Sequence, residues 1–131
     1  MAKISDRESE PSEFGEIMKT FFGFGIADNM FPTGECTIRR RDVNPEQARE
    51  LIAGGVEVCL NPSHAATIGV MRERFGIDVA IPVKAPIVAL QRGDRLLVMG
   101  VSGLPRLENR HEYTAEEVAG ARFRFGLYEI E

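Results

Sequence analysis

From Arg95 to Val101 the chain reads Arg95-Leu96-Leu97-Val98-Met99-Gly100-Val101, and after the arginine every side chain is apolar or absent. That run is far below the roughly 20 residues of a membrane helix. It predicts a strand in a sheet with at least one covered face. Ile87-Val88-Ala89-Leu90-Gln91 is the second clear strand, and Arg92-Gly93-Asp94 between the two predicts a tight hairpin. In a cysteine-poor chain with no export signal, the Arg-Gly-Asp triplet reads as turn chemistry.

The remaining pattern supplies elements to go with that sheet. Thr20 to Ile26 is aromatic and β-branched and reads as a strand, its glycines allowing close backbone approach or a bulge. Ala27 to Gly34 turns the chain. Glu35 to Val43 then alternates Cys36, Ile38 and Arg40 against Thr37, Arg39 and Arg41. Asn44-Pro45-Glu46-Gln47 opens a helix with Ala48, Leu51 and Ile52 on its apolar face, closed by Gly54-Gly55. Val56 to Leu60 fits a buried strand or a continuation into the next helix. Residues 77–86, with two prolines, read as an extended linker. Thr114-Ala115-Glu116-Glu117 opens a short helix ending at Gly120, and Arg122 to Ile130 alternates as a closing strand.

The sum is an α/β domain: a mixed β-sheet of about five strands with about three helices. Its 131 residues suit one small domain. Residues 1–15 read as a polar, acidic, flexible tail and 16–131 as the domain. A core this modest gains from pairing as a symmetric homodimer.

Composition narrows the function. The net charge of −4 argues against a long nucleic acid as partner, because gripping one requires replacing condensed counterions. A small anion held by a few local arginines fits. No apolar run is long enough for a membrane partner, and the acidic N-terminus lacks a signal-peptide pattern, so a cytoplasmic location is expected. Two histidines and two scattered cysteines, Cys36 and Cys59, do not make a structural metal site. Nothing matches a dinucleotide or nucleoside-triphosphate loop, and no cofactor is expected.

The chemistry concentrates at Asn61-Pro62-Ser63-His64-Ala65-Ala66-Thr67-Ile68. Asn61 is a good cap and Pro62 suits a first helical position, while Gly76 supplies the stop. A helix entrance offers free N–H groups to an anion, and His64 there can act as donor, acid or base. His64 also falls in line with Ile68, Met71 and Phe75, a position where an imidazole simply packs. Thr67 can bond a ligand or its own backbone. Lys84 can reach a ligand phosphate or be an ordinary surface lysine. Arg39-Arg40-Arg41 reads as a phosphate patch or a solvated strand edge, and His111 as an exposed loop residue.

Several of these stretches, taken in order, resemble one family. They are His64-Ala65-Ala66-Thr67-Ile68, Gly93-Asp94-Arg95-Leu96-Leu97-Val98, Arg106-Leu107-Glu108, Tyr113-Thr114-Ala115-Glu116-Glu117-Val118 and Leu127-Tyr128-Glu129-Ile130. The array, over residues 20–131, resembles the viral ring nucleases, small dimeric anti-CRISPR proteins of archaeal viruses and bacteriophages. The resemblance implies a homodimer in the host cytoplasm that degrades cyclic tetraadenylate, the second messenger of type III CRISPR immunity. It implies His64 as catalytic acid and Arg106 as a ligand-binding residue. Asn29 matches an asparagine of the family's first turn, placing Ala27 and Asp28 beside the ligand, with Ser63, Ala66, Thr67 and Lys84 as further candidates. Ala27 stands where the family has serine, Asn109 where it has an acidic residue, and two residues are inserted near Gly103.

The implied reaction is metal-independent cleavage. A ribose 2′-OH attacks the adjacent phosphorus, and His64 protonates the leaving 5′-oxygen. Helix N–H groups from Asn61 to Ser63, with Arg106, would stabilise the phosphorane. The change at Ala27 fits equally an alternative, a non-cleaving sponge that sequesters a signalling nucleotide. A protein-interaction inhibitor with no nucleotide site is a third reading.

Overall fold

Both edges of the apolar run are taken by other strands. In the computed structural model, which describes residues 18–84, 86–104 and 113–131, the run forms β4 (Arg95–Ser102). β1 (Thr20–Gly23) lies parallel on one side, with Phe22 opposite Leu97. β5 (Arg122–Ile130) lies antiparallel on the other, with Leu127 opposite Leu97. β2 (Ile38–Val43) and β3 (Glu57–Val58) extend the edges, giving a five-stranded mixed sheet in the order β2-β5-β4-β1-β3. With α1 (Pro45–Ala53), α2 (Ala65–Phe75) and α3 (Ala115–Ala119), these described residues make a single small α/β domain.

The helix ends follow from local chemistry. At α1 the Asn44 side chain accepts the Gln47 N–H at 2.7 Å, and the Gln47 side chain accepts the Asn44 N–H at 2.9 Å. Thr114 and Glu117 make the same reciprocal pair at α3, at 3.1 and 2.9 Å. Each box satisfies two N–H groups that a helix start leaves bare. α2 ends where Gly76 turns left-handed at φ 68°, a conformation glycine adopts without a Cβ penalty. Arg49 of α1 donates to the Phe75 carbonyl at 2.9 Å, tying the two helices together at that end.

Strand alternation divides the core in two. Phe22, Leu97, Met99, Phe125 and Leu127 point to one face and pack against Ala48, Ile68 and Met71 of the helices. Phe21, Leu96, Val98 and Ile130 point to the other, where Val88 and Leu90 cover them with Met30 and Phe31 alongside. Truncating a fully buried residue such as Leu97 would cost about 2–5 kcal/mol. Asp94, 1% exposed, is the buried carboxylate of the described residues; it accepts the Gln91 N–H at 2.9 Å and the Lys19 N–H at 3.3 Å.

The structure corrects several sequence expectations. Residues 87–91 are not a strand, and no hairpin joins them to β4. The turn at Arg92-Gly93-Asp94 exists, but with β1 and β5 already on β4 its incoming limb has no free edge to pair with. That limb crosses the helix-free face instead, and Leu90 donates its N–H to the Met30 carbonyl at 2.7 Å. β1 stops at Gly23 rather than Ile26, and β2 starts at Ile38 rather than Glu35. Val56 to Leu60 resolves as the short edge strand β3, whose ladder continues as Cys59 N–H donates to the Phe22 carbonyl at 2.8 Å. The proposed tail 1–15, the Arg106 and His111 loop and Asn109 lie outside the described residues.

Candidate functional site

β1 and β3 run parallel, and their carboxyl ends deliver the chain to one place. Beyond β1, Phe24-Gly25-Ile26-Ala27 leaves the sheet and enters a single 3-10 turn at Asp28–Met30. Beyond β3, Cys59 and Leu60 lead to Asn61 and the start of α2. Between these exits lies a cavity of about 360 Å³, bounded by Phe24, Ala27, Asn61 and His64 and floored by Leu60 and Leu96. The crevice outside the carboxyl ends of parallel strands is the usual ligand position in open α/β sheets.

The entrance to α2 differs in detail from the sequence reading. Pro62–His64 form a 3-10 turn, and the α-helix begins at Ala65. Asn61 caps as expected, its side chain accepting the Ser63 N–H at 2.9 Å, while its carbonyl accepts the His64 N–H at 2.9 Å. The N–H groups of Ser63 and His64 are therefore engaged inside the turn. His64 therefore precedes the α-helix that carries Ile68, Met71 and Phe75. Its side chain is exposed rather than packed in the core, and its ring centroid lies 5.9 Å from that of Phe24. Phe24 is braced in turn by an edge-on contact with buried Phe22, centroids 6.3 Å apart.

Of the sequence candidates, the structure brings His64 and Ala27 to this cavity, together with the cap Asn61. Asp28 and Asn29 are exposed on the 3-10 turn and border a different depression, shared with Phe31 and Cys36. Ser63 is exposed, Ala66 and Thr67 are half-buried on α2, and Lys84 is exposed; none of these four lines the cavity. Arg106, the proposed ligand arginine, lies outside the described residues. Among the described residues of the cavity wall, His64 alone can carry positive charge.

Phe24 and Cys59 are wall residues that sequence reasoning missed. The signal for Phe24 was its setting between Gly23 and Gly25, which thins the backbone around one aromatic ring. Cys59 is a free thiol, and burial, reinforced by the nearby Glu57 carboxylate, pushes its pKa up to about 11. It is a protonated packing group at neutral pH, not a nucleophile. Among the described residues no three His, Cys, Asp or Glu side chains gather as a metal site. Nor is any described helix long and apolar enough to cross a membrane.

No protein-family model matches the chain, and no curated protein matches it in sequence. Solved structures match it in fold. B116 of Sulfolobus turreted icosahedral virus superposes with a TM-score of 0.60 over 85% of this chain and 98% of that one, at 20% identity. The shared feature is the fold, a small mixed sheet with helices spanning nearly the whole viral protein.

Proposed function

We propose that this chain is a viral protein that binds a cyclic oligoadenylate and cleaves it, with His64 as general acid. The observation that carries the reading is the placement of an exposed imidazole on a partly apolar cavity, beside an aromatic ring. A phosphodiester next to a base needs that pair: a face for the base to stack on and a proton for the leaving oxygen. The structural likeness to a protein of an archaeal virus, and the motif array in the sequence, support the same direction.

The step balances without a metal. The ribose 2′-oxygen bonds to phosphorus and releases its proton to water, the bond from phosphorus to the 5′-oxygen breaks, and His64 delivers a proton to that oxygen. The products are a 2′,3′-cyclic phosphate and a 5′-hydroxyl. Proton delivery of this kind is worth about 10²–10⁴ in rate. The cavity, at about 360 Å³, holds only part of a cyclic tetranucleotide. A symmetric homodimer in the cytoplasm of the host, presenting two such cavities to one ring, is the assembly this reading calls for.

One observation favours the sponge as the second reading. The Ser63 N–H, which sequence reasoning assigned to the phosphorane, is held by the Asn61 side chain, and the next N–H, that of His64, by the Asn61 carbonyl. With fewer donors free at that point, binding would outlast cleavage. Calorimetric titration of the full chain with cyclic tetraadenylate, followed by chromatography of the same sample, separates the readings. Bound ligand converted to linear product supports the nuclease, bound ligand recovered intact supports the sponge, and no heat of binding rejects both.

A further inference from the structure

Among the described residues, the face of the sheet opposite the helices is covered over β1 and the start of β4 and open over the end of β4, β5 and β2. Three cross-strand rows cross this open part. Arg40 stands opposite Tyr128, and Tyr128 opposite Leu96; Asp42 stands opposite Gly126, and Gly126 opposite Val98; Arg124 stands opposite Gly100. The two glycines leave a trough of about 240 Å³ with arginines at its sides.

Arg40 is held down in this trough. A Cβ on Gly126 would stand 2.8 Å from Nη2 of Arg40 and 3.2 Å from its Cζ, so the missing side chain is what lets the arginine lie flat across β5. Its Nε donates to the Tyr128 hydroxyl at 3.3 Å, and its Cζ stands 5.6 Å from the Tyr128 ring centroid. Nη1 of Arg40 and Nη2 of Arg124 both reach Oδ1 of Asp42, at 2.9 and 3.0 Å. Hydrogen bonds from Arg124 and then Arg40 hold the Asp42 carboxyl below the usual carboxylate range. Among the described residues, two guanidiniums on one carboxylate oxygen leave a unit of positive charge unbalanced. Arg39, on the other face of the same strand, shows the ordinary solution for a solvated edge, one carboxylate (Glu131) to one arginine at 2.7 Å.

The trough lies on the same face of the sheet as the floor of the His64 cavity. Leu96 floors the cavity and Val98 lines the trough, and the two residues share a face of β4, one repeat or about 7 Å apart. At about 240 Å³ the trough is smaller than the roughly 300–1,000 Å³ of a site for a whole small ligand, so it suits one part of a larger one. It also holds what the cavity wall lacks, permanent cations. We propose that Arg40 and Arg124 form a phosphodiester subsite for a further unit of the nucleotide whose first unit lies at His64, an inference that rests on the nucleotide reading above.

The test titrates the full chain and its Arg40→Gln, Arg124→Gln and Asp42→Asn variants with cyclic tetraadenylate and with adenosine 5′-monophosphate, over a range of salt. Each glutamine variant is expected to weaken the cyclic ligand about tenfold. Each should also flatten the slope of log affinity against log salt by about 0.7. Both should leave the mononucleotide unaffected. Asp42→Asn, which removes the competing carboxylate, is expected to tighten the cyclic ligand, a gain that a purely structural ion cluster would not give. If the wild type binds the cyclic ligand and the glutamine variants match it in affinity and slope, the subsite is overturned while the nucleotide reading stands. Glutamine variants that change only the oligomeric state overturn it too. A wild type that binds neither nucleotide overturns the reading and the subsite together.

Discussion

Phe24 and His64 stand side by side at the cavity wall, with ring centroids 5.9 Å apart and planes tilted by 48°. One belongs to the exit of β1 and the other to the entrance of α2, so the contact forms only when both parallel exits are in place. It gives the imidazole a fixed neighbour without burying it, and it puts a stacking surface beside the proposed acid.

Phe24→Ala should therefore weaken nucleotide binding more than it weakens the fold. Stacking of a base on an aromatic ring is worth about 1–3 kcal/mol, so a loss of roughly tenfold or more in affinity is expected. Titration of the variant checks it, with urea unfolding as the control. Unchanged affinity would remove Phe24 from the site.

Gly126→Ala places a methyl group where Arg40 now lies, against the far end of a flexible side chain. The arginine can swing away, so stability should change by less than about 1 kcal/mol. Binding of the cyclic ligand should fall as it does in Arg40→Gln. A variant that keeps wild-type affinity would show that the flat placement of Arg40 is unimportant.

Asp94→Ala removes a buried acceptor and strands the Gln91 N–H that it holds at 2.9 Å. A cost of about 1–3 kcal/mol is expected, more if the neighbouring turn loosens. Urea unfolding with an unchanged slope would report it. A loss below about 0.5 kcal/mol would mean that water replaces the carboxylate without penalty.

How much of this was legible in the sequence depends on the range of the interaction. The starts of α1 and α3 and the end of α2 were, because Asn44–Gln47, Thr114–Glu117 and Gly76 act within one turn. The hairpin before β4 was misread for the complementary reason. An apolar-turn-apolar pattern records local preference but not that β1 and β5 already occupy both edges of β4. The trough was invisible in the same way, since Arg40 meets Tyr128 across 88 positions and only the β2–β5 register brings them together. His64 was found by its place near a helix start, yet it sits exposed in a 3-10 turn before the helix, which helical periodicity does not reveal.

Cys59 makes stability depend on alkaline pH. Its thiol has an ordinary pKa of 9.0 when unfolded and about 11 in the fold, so between these values the folded state keeps a proton that the unfolded state has lost. Stability is therefore whole below about pH 9 and declines as pH rises towards 11. Comparing urea midpoints of the wild type and Cys59→Ala across this window checks the sign. The decline should be steeper in the wild type, and parallel curves would contradict it.

The most direct test of the central claim is a single-turnover incubation of the full chain with labelled cyclic tetraadenylate, without added metal, beside His64→Ala. The account predicts linear products ending in a 2′,3′-cyclic phosphate, formed about 10²–10⁴ times more slowly by a variant that still binds the ligand. Equal rates for the two proteins would contradict the role of His64, and intact ligand with both would contradict cleavage itself.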